Sequence, residues 1–166
     1  MVKEDFMFLQ AIKPANGPEA IGPYSPAVKL GDFVYVSGQL PADPKSGEIV
    51  GTTIKEQTQQ AIANLENVLA EMNLELRHVV KTTVFMTDLN EFNEFNEAYA
   101  EAFTAPYPAR SCVQVAALPK GARVEIECLV IDTLIYEQQM AASSCGGGCG
   151  GCGSEGGCGS DCEGCQ

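Results

Sequence analysis

Over residues 123–132 the chain alternates, with Val124, Ile126, Cys128 and Val130 on one side and Glu125, Glu127, Leu129 and Ile131 on the other. A period of two is that of a β-strand, so this stretch predicts a strand with two chemically different faces. The first set suits a core. The second mixes two carboxylates with a leucine and an isoleucine, which a face turned only to water does not need. A subunit interface containing a polar pocket accounts for both. The sheet that holds this strand is therefore expected to be covered on one side and open on the other.

Upstream patterns supply the cover. Residues 33–38 are β-rich, and Asp43-Pro44-Lys45-Ser46-Gly47 beyond them is turn chemistry. Thr53 followed by Glu56 makes a capping box for a helix whose apolar stripe is Ile62, Leu65, Leu69 and Met72. Residues 79–87 are rich in β-branched side chains and predict another strand. Asp88 with Glu91 repeats the capping spacing ahead of a second helix, with Leu89, Phe92, Asn96, Tyr99 and Phe103 along one face and Pro106 and Pro108 at its end. Residues 111–117 and 123–132 read as a hairpin turning at Pro119-Lys120-Gly121. The order of strands, helix, strand, helix and two strands predicts an α+β fold, one mixed sheet with both helices on one face.

Of the 166 residues, the last 22 contain ten Gly, six Cys and nothing else apolar. Such a segment has nothing to bury against its ordering entropy. The expected organisation is one domain over residues 1–137 and a disordered tail over 138–166. A net charge of −12 argues against a general nucleic-acid partner, because phosphate neutralisation dominates that affinity. Glu4 and Asp5 stand where a signal peptide needs positive charge and then an apolar run, and no run approaches the roughly 18 apolar residues of a membrane span. The expectation is a soluble, cytoplasmic protein with no membrane partner.

If Val113 and Val115 join the core, Arg110, Cys112 and Gln114 share the open face with Glu125 and Glu127. Arg110 there either grips a ligand carboxylate through two parallel hydrogen bonds or forms an interface salt bridge to Glu125 or Glu127. Glu125 is either a general acid or base, its pKa raised by burial, or a partner of Arg123 or Lys120. A nucleophilic Cys112 would want a nearby histidine, and the sole histidine, His78, precedes a strand in an exposed-looking stretch. Cys112 reads instead as a small wall residue offering its backbone. Asn96 falls on an apolar stripe where an amide needs partners. Gly22-Pro23-Tyr24-Ser25-Pro26 is rigid loop chemistry that either presents Tyr24 or is a plain turn, and Ser37-Gly38 at a strand end marks either a close ligand approach or a β-bulge.

With these residues in place, the chain resembles the RidA/YjgF family of enamine/imine deaminases. The matching blocks are Ile21-Gly22-Pro23-Tyr24-Ser25-Pro26, Val36-Ser37-Gly38-Gln39, Val80-Lys81-Thr82-Thr83-Val84, Phe95-Asn96-Glu97-Ala98-Tyr99 and nearly all of residues 108–127, in family order between residues 14 and about 132. The resemblance implies a chorismate-mutase-like fold assembled as a homotrimer with pockets between subunits. It also implies hydrolysis of small imines and enamines such as 2-aminoacrylate to 2-oxo acids and ammonia, without a cofactor. By the same resemblance Arg110 binds the substrate carboxylate, Glu125 positions the attacking water, and Cys112 contributes its backbone. Tyr24, Ser37, Gly38 and Asn96 match other pocket residues.

The tail departs from the family, whose members usually end soon after the last strand. Its cysteines form two copies of C-x-x-x-C-x-x-C, namely Cys145, Cys149, Cys152 and then Cys158, Cys162, Cys165. In a reducing compartment this spacing favours metal over disulfides, and six thiolates can complete a four-thiolate zinc or iron-sulfur site with two spare. The bland reading is a tail that carries no ligand.

Overall fold

A computed structural model describes residues 8–144. In chain order the elements are β1 (Leu9–Ile12), β2 (Ala27–Leu30), β3 (Phe33–Gln39), helix α1 (Ile54–Ala70), β4 (Val79–Met86), helix α2 (Phe92–Ala102), β5 (Ala109–Gln114), β6 (Val124–Ile131) and helix α3 (Leu134–Ser144). The strands form one mixed sheet in the order β1-β2-β3-β6-β4-β5, antiparallel throughout except for the parallel pair β4 and β5. The α+β architecture expected from the sequence is thus present.

Helix α1 starts where its capping box predicts. Thr53 accepts from the Glu56 backbone amide, and the Glu56 carboxylate accepts from the Thr53 amide in return. Ile62, Leu65 and Leu69 are buried against the sheet as expected, joined by Ile54, Ala61 and Val68, whereas Met72 lies past the last helical residue, Ala70, and is only partly buried. From below they meet Val34, Val36, Val84, Val124, Ile126 and Val130, with Phe95 of α2 closing the layer. Each buried valine, leucine, isoleucine or phenylalanine here contributes about 1.5–3 kcal/mol relative to leaving it exposed. The buried polar groups fix loops to this frame. Asn64 donates to the Leu40 and Ala42 carbonyls at 2.9 and 2.7 Å. Gln57 links the Gly51 carbonyl to the Arg123 amide, at 3.1 and 2.8 Å.

Two expectations fail in the sheet. Residues 109–131 are not a hairpin, because β5 and β6 lie on opposite sides of β4. Helix α2 carries the chain from β4 across to a parallel β5, and β6 then returns into the slot between β3 and β4. Burial explains the slot: Val124, Ile126 and Val130 are fully buried, which a central strand achieves and an edge strand does not. The second failure is the facing of β5. Its register pairs Arg110 with Thr82, Cys112 with Val84 and Gln114 with Met86, so Arg110, Cys112 and Gln114 lie on the helix side. Ser111 and Val113 occupy the open face, where Lys81 Nζ donates to Ser111 Oγ at 2.7 Å. Valine lost this contest because at the sheet edge the space beneath α2 is filled by aromatic rings, and Arg110 lies over those rings.

The open face is otherwise as expected. Glu125, Glu127, Leu129 and Ile131 point to it, and Leu129 and Ile131 pair with Tyr35 and Phe33 of β3. Leu30 and Leu9 continue the row across β2 and β1, and Phe33, Tyr35, Leu30 and Leu9 are each roughly half exposed. Elsewhere, His78 is buried rather than exposed, because it closes the 3-10 turn Leu76–His78 by accepting from the Glu75 amide at 2.9 Å. The buried face of α2 is Phe95, Ala98 and Tyr99, with Phe92 and Asn96 at its margin and Leu89 outside.

A second compact unit begins at Ile135 and holds nearly all of α3. That helix runs past residue 138, the expected start of the tail, because Glu137, Gln138, Gln139, Met140, Ala141 and Ala142 are good helix formers. The six tail cysteines lie outside the described residues. Among the described residues no helix is long and apolar enough to cross a membrane, and no group of three or more His, Cys, Asp or Glu side chains gathers as a metal site.

Candidate functional site

The seven residues singled out from the sequence fall into two groups. The first stands at the β5 edge. Arg110 Nη2 donates to Asn96 Oδ1 at 2.7 Å. Its Cζ lies 4.7 Å from the ring centroid of Tyr99, 5.3 Å from Phe95 and 5.6 Å from Phe92. Among the described residues it forms no ion pair, so a neutral amide and three π-faces hold a full positive charge that no carboxylate offsets. A guanidinium has five N–H donors, and the bond to Asn96 leaves most of them free.

Cys112, two residues along the same strand, is half-buried and donates from Sγ to Met86 Sδ at 3.6 Å. Burial pushes its thiol up, against a smaller opposing influence from Arg110, so the thiolate needed for attack is disfavoured. Its role as a wall residue fits this geometry better than that of a nucleophile. Cys128 is further removed from such chemistry, buried in the core with its thiol pushed up to about 12.

The second group holds Glu125, on the other side of the sheet, with Gly38 against it and Ser37 and Tyr24 in the adjoining strand and loop. A β-bulge between Val36 and Gln39 brings Ser37 and Gly38 out of register with β6. At Gly38 the Glu125 carboxylate occupies the place of a side chain: a Cβ there would overlap Glu125 Oε1 and sit 2.6 Å from Cδ. Only glycine lets the backbone approach so closely. Burial raises the Glu125 pKa, and the neighbouring Glu127 charge raises it further. Ser37 Oγ donates to the Ser25 carbonyl and Ser37 N to that of Pro26, at 2.7 and 2.9 Å, which fixes the 22–26 loop beside the strand. Tyr24 of that loop is half exposed and lines, with Gly38, Gln39 and Lys120, a cavity of about 380 Å³.

The salt bridges considered for the two charged residues are absent among the described residues. Arg123 pairs with Glu91, and Lys120 Nζ donates to the Gly47 carbonyl, so neither is taken by Glu125. The sequence did not connect Phe92, Phe95 and Tyr99 with Arg110. Their signal was the three- and four-residue spacing of Phe92, Phe95, Asn96 and Tyr99, which puts all four on adjoining turns of one helix.

Comparison with known proteins places this architecture. The family model described as endoribonuclease L-PSP matches residues 14–132. The human 2-iminobutanoate/2-iminopropanoate deaminase is 45% identical over 122 residues, covering 74% of this chain and 89% of the human protein. Among solved structures, RidA from the Antarctic bacterium Psychrobacter sp. PAMC 21119 is 43% identical with a TM-score of 0.71, over 74% of this chain and 98% of that one. E. coli TdcF, solved with bound serine, is 41% identical with a TM-score of 0.70 over the same shares. The family match over residues 14–132 and the likeness to solved RidA structures in sequence and fold agree, and the chain belongs to the endoribonuclease L-PSP family, which includes the RidA proteins.

Proposed function

We propose that the protein hydrolyses small 2-imino acids and their enamine tautomers, such as 2-aminoacrylate, to 2-oxo acids and ammonia. The observation that carries this reading is the charge of Arg110, uncompensated among the described residues and held by Asn96 and three rings in the manner of an anion site. Two parallel N–H groups of a guanidinium match a carboxylate in geometry and charge. The iminium carbon beside that carboxylate is already electrophilic, so water needs orientation and a proton acceptor rather than a cofactor.

The water oxygen bonds to C2 of the protonated imine while Glu125 takes a proton from it, giving a carbinolamine. Glu125 then returns that proton to the amino nitrogen, the C–N bond breaks and ammonia leaves, and the hydroxyl proton passes to water as C2 keeps the oxygen as a carbonyl. Burial suits Glu125 to both steps, since a raised pKa lets it give back the proton it takes. Arg110 and Glu125 lie on opposite faces of one chain, so the site needs Arg110 from one copy and Glu125 from another. The apolar row of Leu9, Leu30, Phe33 and Tyr35 gives such copies a surface to share, and we assign the assembly as a homotrimer.

The deaminase name of the human relative supports this reading. The endoribonuclease of the family description finds less support in this chain, which is strongly acidic and whose sole histidine is buried in a turn. A second reading, capture of small carboxylates without turnover, is favoured by the serine bound to E. coli TdcF. The test is ammonia release from 2-aminoacrylate generated in the assay by a serine-deaminating enzyme. Arg110→Ala is expected to abolish the acceleration while the oligomer persists; turnover equal to wild type in that variant would overturn the proposal. Saturable 2-oxo acid binding with no acceleration by the wild-type protein would select the second reading.

A further inference from the structure

Arg110 sits on an edge strand, where a long flexible side chain ordinarily loses considerable rotamer freedom when a ligand fixes it. In this chain the place of the guanidinium is already determined from beneath. Phe92 and Phe95 have centroids 6.3 Å apart and lie 25° from parallel, Phe95 and Tyr99 are 5.5 Å apart, and Tyr99 stacks on Phe103 at 4.3 Å and 17°. The row is hydrogen-bonded to the sheet through the Tyr99 hydroxyl, 2.9 Å from Thr82 Oγ1, both buried. Thr82 is also the register partner of Arg110. A closed circuit results: Arg110 beside Thr82 across β4 and β5, Thr82 bonded to the Tyr99 hydroxyl, and the Tyr99 ring 4.7 Å from the Arg110 Cζ.

Rings suit this task where a carboxylate would not. An acidic partner would fix the arginine equally well but would neutralise the charge and occupy the N–H fork that a ligand carboxylate requires. The negative face of an aromatic ring attracts the cation from above and leaves the donors in the guanidinium plane free.

We infer that Tyr99, with Phe95 and Phe92 beside it, is a positioning residue for Arg110 that sets the guanidinium in its binding geometry before the ligand arrives. This rests on the reading of Arg110 as the carboxylate-binding residue. The expected effect falls on ground-state binding, which substrate and transition state share, so KM rises while kcat changes little.

The experiment is calorimetric titration of the full-length protein with 2-oxobutanoate, paired with imine hydrolysis kinetics and a thermal melt. Wild type binds and Arg110→Ala does not. Tyr99→Leu weakens Kd about tenfold and raises KM in step, and Phe92→Leu, at a half-buried ring on the margin of the core, weakens it about threefold. Tyr99→Phe restores most of the affinity lost in Tyr99→Leu, because the ring is kept. A melt lowered in Tyr99→Leu with Kd and KM unchanged makes Tyr99 a core residue alone and overturns the inference. If Tyr99→Leu does not fold, unchanged Kd in Phe92→Leu overturns it instead. Equal binding by wild type and Arg110→Ala, or no binding by wild type, removes the carboxylate reading of Arg110 and the inference with it.

Discussion

Arg110 and Glu125 stand on opposite faces of one sheet, on strands separated by β4, with Thr82 beside the first and Phe85 beside the second. Three residues along β4 add about 10 Å to the separation across the sheet. One small imino acid cannot touch both side chains of the same copy. The consequence for any chemistry that uses both is that a complete site contains two chains.

Mixing tests this directly. Arg110→Ala and Glu125→Gln chains are each expected to be inactive. Co-assembled at equal amounts in a cyclic trimer, they restore about a quarter of the wild-type activity, since that share of the interfaces joins an intact Arg110 to an intact Glu125. Ammonia release after joint refolding measures it. No recovery despite proven mixed trimers would place both residues of a site in one chain.

Gly38 is expected to tolerate no side chain without loss of activity. A methyl group there overlaps the Glu125 carboxylate, the movable end of a flexible side chain, so the carboxylate shifts and the fold survives. Gly38→Ala should lower kcat by about tenfold to a hundredfold, in keeping with a misplaced catalytic group, with little change in melting temperature. Wild-type kcat in this variant would separate Glu125 from the reaction.

The pH dependence follows from the raised Glu125 pKa, caused first by burial and then by the Glu127 charge. The acid limb of kcat/KM should lie above the ordinary glutamate value of about 4.3, and Glu127→Gln should move it to lower pH. Stability carries the opposite sign. A carboxyl raised in the folded state leaves that state with more bound protons, so its contribution is fully present below the unfolded pKa and is lost as pH rises through the folded one. Urea midpoints of Glu125→Gln relative to wild type should therefore rise as pH is raised above the ordinary glutamate value of about 4.3.

The tail makes a prediction from its spacing alone. Four thiolates complete a tetrahedral zinc site, so the full chain, reduced and then dialysed, should retain about one zinc per chain more than a chain ending at Ser144. Equal metal content in the two would remove the tail from metal chemistry. Deaminase activity is expected to be the same in both.

What the sequence made legible was periodic. The capping box at Thr53 and Glu56, the stripe of α1 and the inward face of β6 follow from residue spacing within one element, and each appears in the fold. Spacing within β5 separated Arg110 and Cys112 from Val113 equally well. Which set faces the helices depends on a parallel partner reached through α2, a contact that no local pattern encodes. The same limit produced the misplaced hairpin: Pro119-Lys120-Gly121 does turn the chain, but the returning strand passes β5 and pairs beyond it. His78 was hidden for a different reason, since its burial comes from capping a short turn rather than from any apolar pattern.

The position of β6 also orders events during synthesis. This strand is the last of the sheet to be made and the one that joins β3 to β4, so a chain emptied from the ribosome as far as Leu118 has no strand pairing between β1-β2-β3 and β4-β5. Non-local pairing of this kind delays closure until the final strand arrives. Premature termination upstream of residue 131 is then expected to yield an unfolded, chaperone-dependent species rather than a trimmed one, whereas sequence appended after Leu134 enters the world behind a sheet that can already close.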